Sequence, residues 1–137
     1  MLALDVMTKK PEYLAPEDSL KQAAIHMKSH DYGFVPIGKD DRLIGAVTDR
    51  DITVRGVAEG KGPTAHLEEV MTEGIQYCYE KDDIEDVAQK MKKLQIRRLV
   101  VLNQDKRMTG VISLGDIAIK VKDHDLLAEV TEEVSKH

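Results

Sequence analysis

This chain is written twice, and no other feature restricts its fold as much. Val6-Met7-Thr8 returns as Val70-Met71-Thr72, and "DSLKQAAIHMK" from Asp18 returns as "DDIEDVAQKMK" from Asp82, both at an offset of 64. One residue inserted in the turn before Met108 moves the offset to 65, and "GAVTDRDI" (Gly45–Ile52) then matches "GVISLGDI" (Gly110–Ile117). A repeat collinear over nearly all of 137 residues implies two copies of one small fold. A copy of about 60 residues buries too little surface to be comfortable alone. The expectation is therefore two units packed sheet to sheet about a pseudo-two-fold axis, with clefts between them in which a ligand touches both.

Each copy reads as β-α-β-β-α, an α+β fold. Leu20, Ala23, Ala24 and Met27 recur at helical spacing, as do Ile84, Val87, Ala88, Met91 and Leu94. Asp18-Ser19 and Asp82-Asp83 supply the N-caps and early negative charge. "GFVPI" and "LIGAV" flank a polar turn, as do "RLVVL" and "MTGVI", so each pair predicts a hairpin. A short strand is expected near Tyr13-Leu14 and near Tyr77-Cys78, and a second helix from Thr48 and from Ser113. "GVAEGKGP" (Gly56–Pro63) separates the copies. The repeats span 6–64 and 70–123, and a tail at 124–137 has Leu126, Leu127, Val130 and Val134 at the spacing of an amphipathic helix.

Composition narrows the function classes. A net charge of −5 argues against a surface devoted to nucleic acid or anionic lipid. Cys78 is the single cysteine, which excludes an intrachain disulfide and a thiolate metal cluster and suits a reducing, cytoplasmic setting. No run approaches 18 apolar residues, and Asp5 interrupts the apolar start that a signal peptide would keep. No Ser–His–Asp set, phosphate loop or zinc signature is present, so neither a catalytic site nor a metal is expected.

The repeated Thr48-x-x-Asp51 and Ser113-x-x-Asp116 admit two readings. A hydroxyl followed three residues later by a carboxylate is a helix capping box. The same geometry, at the end of a strand, lets the carboxylate take both hydroxyls of a ribose. The adjoining helix start favours phosphate, and the glycine just upstream would leave the approach unobstructed. The two readings are compatible, and the motif alone leaves both open.

The order "VMT", amphipathic helix, hairpin, "G-h-h-T/S-x-x-D-h", occurring twice, resembles the tandem cystathionine-β-synthase domain, or CBS pair. "VMTEGIQYCYEKDD", "QIRRLVVLN", "GVISLGDI" and "VPIGKDDRLIGAVTDRDI" carry the likeness, which covers almost the whole chain. The resemblance implies a non-catalytic regulatory module that binds an adenosine-containing ligand: AMP, ADP, ATP, S-adenosylmethionine or NAD. It also implies a homodimer. On that resemblance Thr48 and Asp51 serve one cleft, and Ser113 and Asp116 the other. Glu12-Tyr13 and Ile75-Gln76-Tyr77 line the adenine, and Arg97 and Arg98 meet phosphate. The copies differ: Gly33-Phe34 replaces Arg97-Arg98, and Glu12 stands where the family carries an apolar residue. Arg50, matched by Gly115, either serves a phosphate in the first cleft or is solvated.

Two other constellations invite different readings. "KMKKLQIRRLVVLNQDKR" holds Lys90, Lys92, Lys93, Arg97, Arg98, Lys106 and Arg107 against one aspartate. That is an alternative nucleic-acid surface. The competing reading makes the lysines the solvated face of a helix, and the scarcity of aromatics favours it. A third alternative is a ligand-free dimerisation module. His26 and His30, four apart, share a helix face but lack the further ligands that a metal site needs.

Overall fold

In both copies the β-branched runs pair as antiparallel hairpins. The computed structural model describes residues 1–31 and 33–120; the helix expected over 124–137 lies outside the described residues. Two short elements open the chain, α1 (Ala3–Val6) and β1 (Thr8–Lys9). The first copy continues with α2 (Leu20–His30), the hairpin β2 (Phe34–Lys39) and β3 (Arg42–Thr48), and α3 (Asp49–Asp51). A π-helical turn at Ile52–Gly56 prolongs α3, and single 3₁₀ turns follow at Val57–Glu59 and Leu67–Glu69. The second copy has β4 (Thr72–Glu73), β5 (Tyr77–Tyr79), α4 (Ile84–Leu94), the hairpin β6 (Arg98–Leu102) and β7 (Met108–Ser113), and α5 (Leu114–Lys120).

The long helices start where their caps are written. The Ser19 hydroxyl accepts from the Gln22 N–H (3.1 Å) while the Gln22 side chain accepts from the Ser19 N–H (2.8 Å), a reciprocal box. Asp83 accepts from the Glu85 N–H at 2.8 Å. Each cap is worth about 1 kcal/mol. α2 buries Leu20, Ala23 and Met27, and α4 buries Ile84, Val87, Ala88 and Met91, whereas Ala24 and Leu94, expected in the same stripes, are exposed. Both helices stop on a residue in the left-handed region, Asp31 at φ 56° and Gln95 at φ 57°.

The sheets are built alike, and the strands on one edge are exchanged. β1 pairs antiparallel with β7 (Thr8 with Val111, Lys9 with Gly110), giving the order β1-β7-β6-β5. β4 pairs with β3 in the matching register (Thr72 with Ala46, Glu73 with Gly45), giving β2-β3-β4, while Leu14 bridges Ile37 in parallel on the other edge. The "VMT" strand at the head of each copy therefore completes the other copy's sheet. The chain accordingly divides into one unit of Glu12–Ile75 and one of Met1–Pro11 with the chain from Gln76 onward. These compact units are offset from the sequence repeats 6–64 and 70–123.

The exchange explains the repeated glycines. A methyl group on Gly45 would lie 2.6 Å from the Thr72 carbonyl oxygen, and one on Gly110 would lie 2.8 Å from that of Thr8 and 2.4 Å from Met7 Sδ. The space the sequence reading left open for a ligand is filled by the "VMT" strand. Each unit has its own core. Leu20, Ala23, Met27, Val35, Ile37, Val47, Leu67 and Val70 form one. The other joins Ala3, Val6 and Met7 to Cys78, Ile84, Val87, Ala88, Met91, Leu99, Val101, Ile112 and Ile117.

Candidate functional site

Both hydroxyl–carboxylate elements close as capping boxes. Thr48 N–H donates to Asp51 Oδ2 (3.0 Å) and Asp51 N–H to Thr48 Oγ1 (3.1 Å). Ser113 N–H donates to Asp116 Oδ2 (2.9 Å) and Asp116 N–H to Ser113 Oγ (3.0 Å). The box uses Oδ2 of each aspartate and fixes where Oδ1 stands, so capping holds the carboxylate in place. All four residues are partly buried, the hydroxyls at the last residue of a strand and the carboxylates in the first turn of the helix that follows.

In the unit built from Gln76 onward, the hairpin register joins the arginines to this element. Arg98 opens β6 directly opposite Ser113, and the Leu114 N–H donates to the Arg97 carbonyl at 2.9 Å. Both arginines are exposed. Ser113, Asp116, Arg97 and Arg98 thus share one end of one hairpin, offering a carboxylate, a hydroxyl and two guanidiniums. Guanidinium forks match phosphate oxygens, and a carboxylate matches a diol.

The corresponding end of the Glu12–Ile75 unit is chemically different. Phe34 faces Thr48, and the Asp49 N–H donates to the Gly33 carbonyl at 3.1 Å. The Asp49 carboxylate covers Gly33 so closely that a methyl group there would lie 2.3 Å from Asp49 Oδ2. Arg50 is exposed beside Asp51 and is the only arginine of the Asp49-Arg50-Asp51 turn. Here the negative charge is denser and the paired arginines are absent.

The segments assigned to adenine are placed less uniformly. Ile75 ends one unit and Gln76 begins the other. Tyr77 starts β5 beside Val100. The Tyr13 hydroxyl donates to Asp41 Oδ1 (2.8 Å) and accepts from the Asp41 N–H (2.9 Å), which holds the ring at the β2–β3 turn. That hydrogen bond to the carboxylate raises the phenol's pKa above its usual value. The turn lies at the far end of β3 from Thr48, about 20 Å away along the strand. Glu12 instead turns its carboxylate toward His26 and His30, with Oε2 at 3.3 Å and 3.0 Å from their Nε2 atoms. Burial, and then the charge of His30, push the His26 pKa down.

Sequence reasoning missed three features. The Glu12–His26–His30 group forms by a tertiary approach that no spacing announces. Arg55 Nη1 donates to the carbonyls of Val70 (3.3 Å) and Met71 (3.2 Å), clamping the exchanged strand. Lys90 does not belong with the solvated lysines: its ammonium donates to the Tyr77 carbonyl and stands 5.7 Å from the Tyr77 ring centre. Its position two turns into α4 was the only local hint.

Cys78 lies in the core of β5, and burial pushes its thiol up to about 12. A thiol so protonated is a poor nucleophile. An aromatic disulfide reagent at pH 8 is expected to leave the native protein unlabelled and to modify one thiol per chain in 8 M urea. Rapid labelling of the native protein would contradict the burial.

Among the described residues no helix is long and apolar enough to cross a membrane. The family model of the CBS domain matches residues 3–55 and again 67–130. Hypoxic response protein 1 of Mycobacterium tuberculosis is 35% identical over 127 residues, covering 91% of this chain and 88% of that protein. Its crystal structure, with two coordinated zinc ions, superposes with a TM-score of 0.80 at 34% identity over 88% of this chain and 99% of the other. The CBS domain pair of protein MJ0100, in complex with 5′-methylthioadenosine and S-adenosyl-L-methionine, gives 0.74 at 27% identity over 87% and 94%. The CBS domain-containing protein YhcV of Bacillus subtilis is 30% identical over 96% of this chain and 93% of its own length.

Proposed function

The chain belongs to the CBS domain family, and from that premise we propose that it is a non-catalytic regulatory module which binds an adenosine-containing ligand. The ligand classes are AMP, ADP, ATP, S-adenosylmethionine and NAD. The observation that carries the reading is the register placing Arg98 opposite Ser113, with Arg97 hydrogen-bonded to the residue after it. Asp116 takes the ribose hydroxyls through the oxygen its capping box leaves over, Ser113 the sugar or phosphate, and Arg97 and Arg98 the phosphate. Relatedness to the MJ0100 pair, which holds two adenosine compounds, supports the choice of ligand. Thr48, Arg50 and Asp51 form a second, more acidic element, better suited to a ligand with less phosphate. Occupancy changes an equilibrium only if two states of the protein differ in affinity. The protein carries out this role in the cytoplasm as a homodimer.

Thermal unfolding with each of the five ligand classes tests the reading. At 100 times its dissociation constant, a ligand stabilises by about 2.7 kcal/mol, a midpoint rise of roughly 5–20 °C. Asp116→Ala breaks the box as well, so its ligand-free stability is expected to fall by about 1 kcal/mol, and its ligand-dependent rise in midpoint to vanish. Arg97→Ala with Arg98→Ala leaves the box intact and is expected to abolish the response to AMP, ADP, ATP and NAD while sparing that to S-adenosylmethionine. A full response in both variants would reduce the element to a helix cap.

A further inference from the structure

We infer that Glu12, His26 and His30 form a binding site for a divalent first-row transition metal, zinc foremost, contained within the Glu12–Ile75 unit. His26 and His30 lie one turn apart on α2, with ring centres 4.1 Å apart and planes inclined by 15°, so the His26 imidazole turns about its Cβ–Cγ bond to bring both lone pairs onto one ion. One donor atom from each of the three residues falls within 4.8 Å of the others. Tetrahedral zinc, with bonds of about 2.0–2.1 Å, sets its ligand atoms roughly 3.3 Å apart. The two nitrogen–oxygen separations, 3.3 Å and 3.0 Å, are close to the edges of such a tetrahedron.

The hydrogen bonding leaves room for a cation, a proton or a metal ion, between the two Nε2 atoms and the carboxylate. His30 Nδ1 lies 2.9 Å from the His26 carbonyl oxygen, which can only accept, so Nδ1 carries the proton. In the neutral ring, Nε2 then directs a lone pair at the Glu12 carboxylate. A backbone carbonyl that fixes the tautomer in this way is the usual outer partner of a metal-bound histidine. The His26 side chain is 9% exposed; among the described residues its Nδ1 makes no hydrogen bond, and its Nε2 meets the Glu12 carboxylate at 3.3 Å without the alignment of one. Leaving a buried polar group unsatisfied costs about 1–3 kcal/mol. One metal ion bound by both Nε2 atoms and the carboxylate offsets that cost at Nε2 and removes the lone-pair repulsion there.

The second copy provides an internal comparison. At the offset of 64, Glu12, His26 and His30 correspond to Gln76, Lys90 and Leu94. No metal-binding set exists there, and Lys90 brings its own ammonium to the Tyr77 carbonyl. One copy thus carries a covalently attached cation at this position on its helix, where the other carries ligands for a diffusible one. Two imidazoles and a carboxylate suit zinc, nickel or copper, whereas calcium and magnesium take all-oxygen sets. Three protein ligands leave a fourth position for water.

The inference stands apart from the adenosine reading and is tested without nucleotide. The full chain, stripped with EDTA, is titrated with Zn²⁺ by calorimetry and with Co²⁺ by visible absorption. One equivalent of Zn²⁺ and the intense absorption of four-coordinate cobalt are expected, with no uptake of Mg²⁺. Glu12 and His30 have side chains 66% and 37% exposed, so Glu12→Gln and His30→Gln are expected to fold. Each should weaken Zn²⁺ binding roughly 100-fold or more, since loss of outer-shell partners alone costs about 10–100-fold. A variant with His66, His124 and His137 all changed to Gln should bind as the wild type does. Absence of saturable uptake at micromolar Zn²⁺, or uptake that survives both Glu12→Gln and His30→Gln, would overturn the assignment.

Discussion

A chain that begins at Glu12 is expected to lose the cooperative unfolding of the unit assembled from Gln76 onward. The deletion removes Ala3, Val6 and Met7, which are 0%, 5% and 8% exposed in that unit's core. Burying a valine or methionine side chain contributes about 1.5–3 kcal/mol, and the empty volume left behind adds to the loss. β1 also disappears, uncovering the edge of β7. The Ala3 N–H to Asp82 carbonyl bond (2.8 Å) and the Leu4 N–H to Glu80 carbonyl bond (3.0 Å) go with it. A total of roughly 5 kcal/mol or more is comparable with the whole stability of a small domain. Urea denaturation followed by circular dichroism, with hydrogen exchange to localise the loss, reads the effect. Exchange protection should vanish in α4, β6 and β7 and persist in α2, β2 and β3. An unchanged urea midpoint would show that the first eleven residues are not part of the core.

Alanine at the repeated glycines is expected to destabilise strongly, and differently in the two copies. At Gly45 the added methyl group meets a backbone carbonyl at 2.6 Å, with Met71 Sδ at 3.3 Å. At Gly110 the nearest atoms belong to the Met7 side chain, at 2.4 Å and 2.8 Å, with the Thr8 carbonyl also at 2.8 Å. Overpacking of this kind costs about 1–3 kcal/mol, or more where backbone must shift. Each kcal/mol lowers the midpoint by roughly 2–8 °C. Because a side chain can yield and a carbonyl on a paired strand cannot, Met7→Ala should partly rescue Gly110→Ala, whereas Met71→Ala should not rescue Gly45→Ala. Double-mutant cycles on thermal midpoints measure that coupling. Two alanine variants as stable as the wild type would refute the close crossing of strands.

Where a feature is local, the sequence announces it. Helices α2 and α4 follow from apolar spacing and from Ser19 and Asp83, since caps and periodicity operate within a few residues. The hairpins follow from paired β-branched runs, and the Thr48–Asp51 and Ser113–Asp116 boxes from a three-residue spacing. What escapes is set by tertiary approach. β1 and β4 are two residues long and exposed, with no alternation to mark them, so nothing in "VMT" says which sheet it joins. Glycine in "G-h-h-T/S" suits an open approach or a covered one equally well, and only the strand lying across it decides. Glu12 reaches His26 and His30 across the Pro16–Ser19 turn, a meeting set by the bridge between Leu14 and Ile37. On its own, a pair of histidines one helical turn apart lacked the further ligand that a metal site needs.

The reciprocal lending of β1 and β4 bears on ancestry. If the chain arose by tandem duplication, a lone copy would have begun with a strand that fits its sister's sheet and not its own. A single-copy precursor of this architecture would thus have been incomplete as a monomer, obliged to trade leading segments with a second molecule. Fusing the genes would then have turned an intermolecular swap into an intramolecular one, with the old mutual dependence preserved in the path of the backbone.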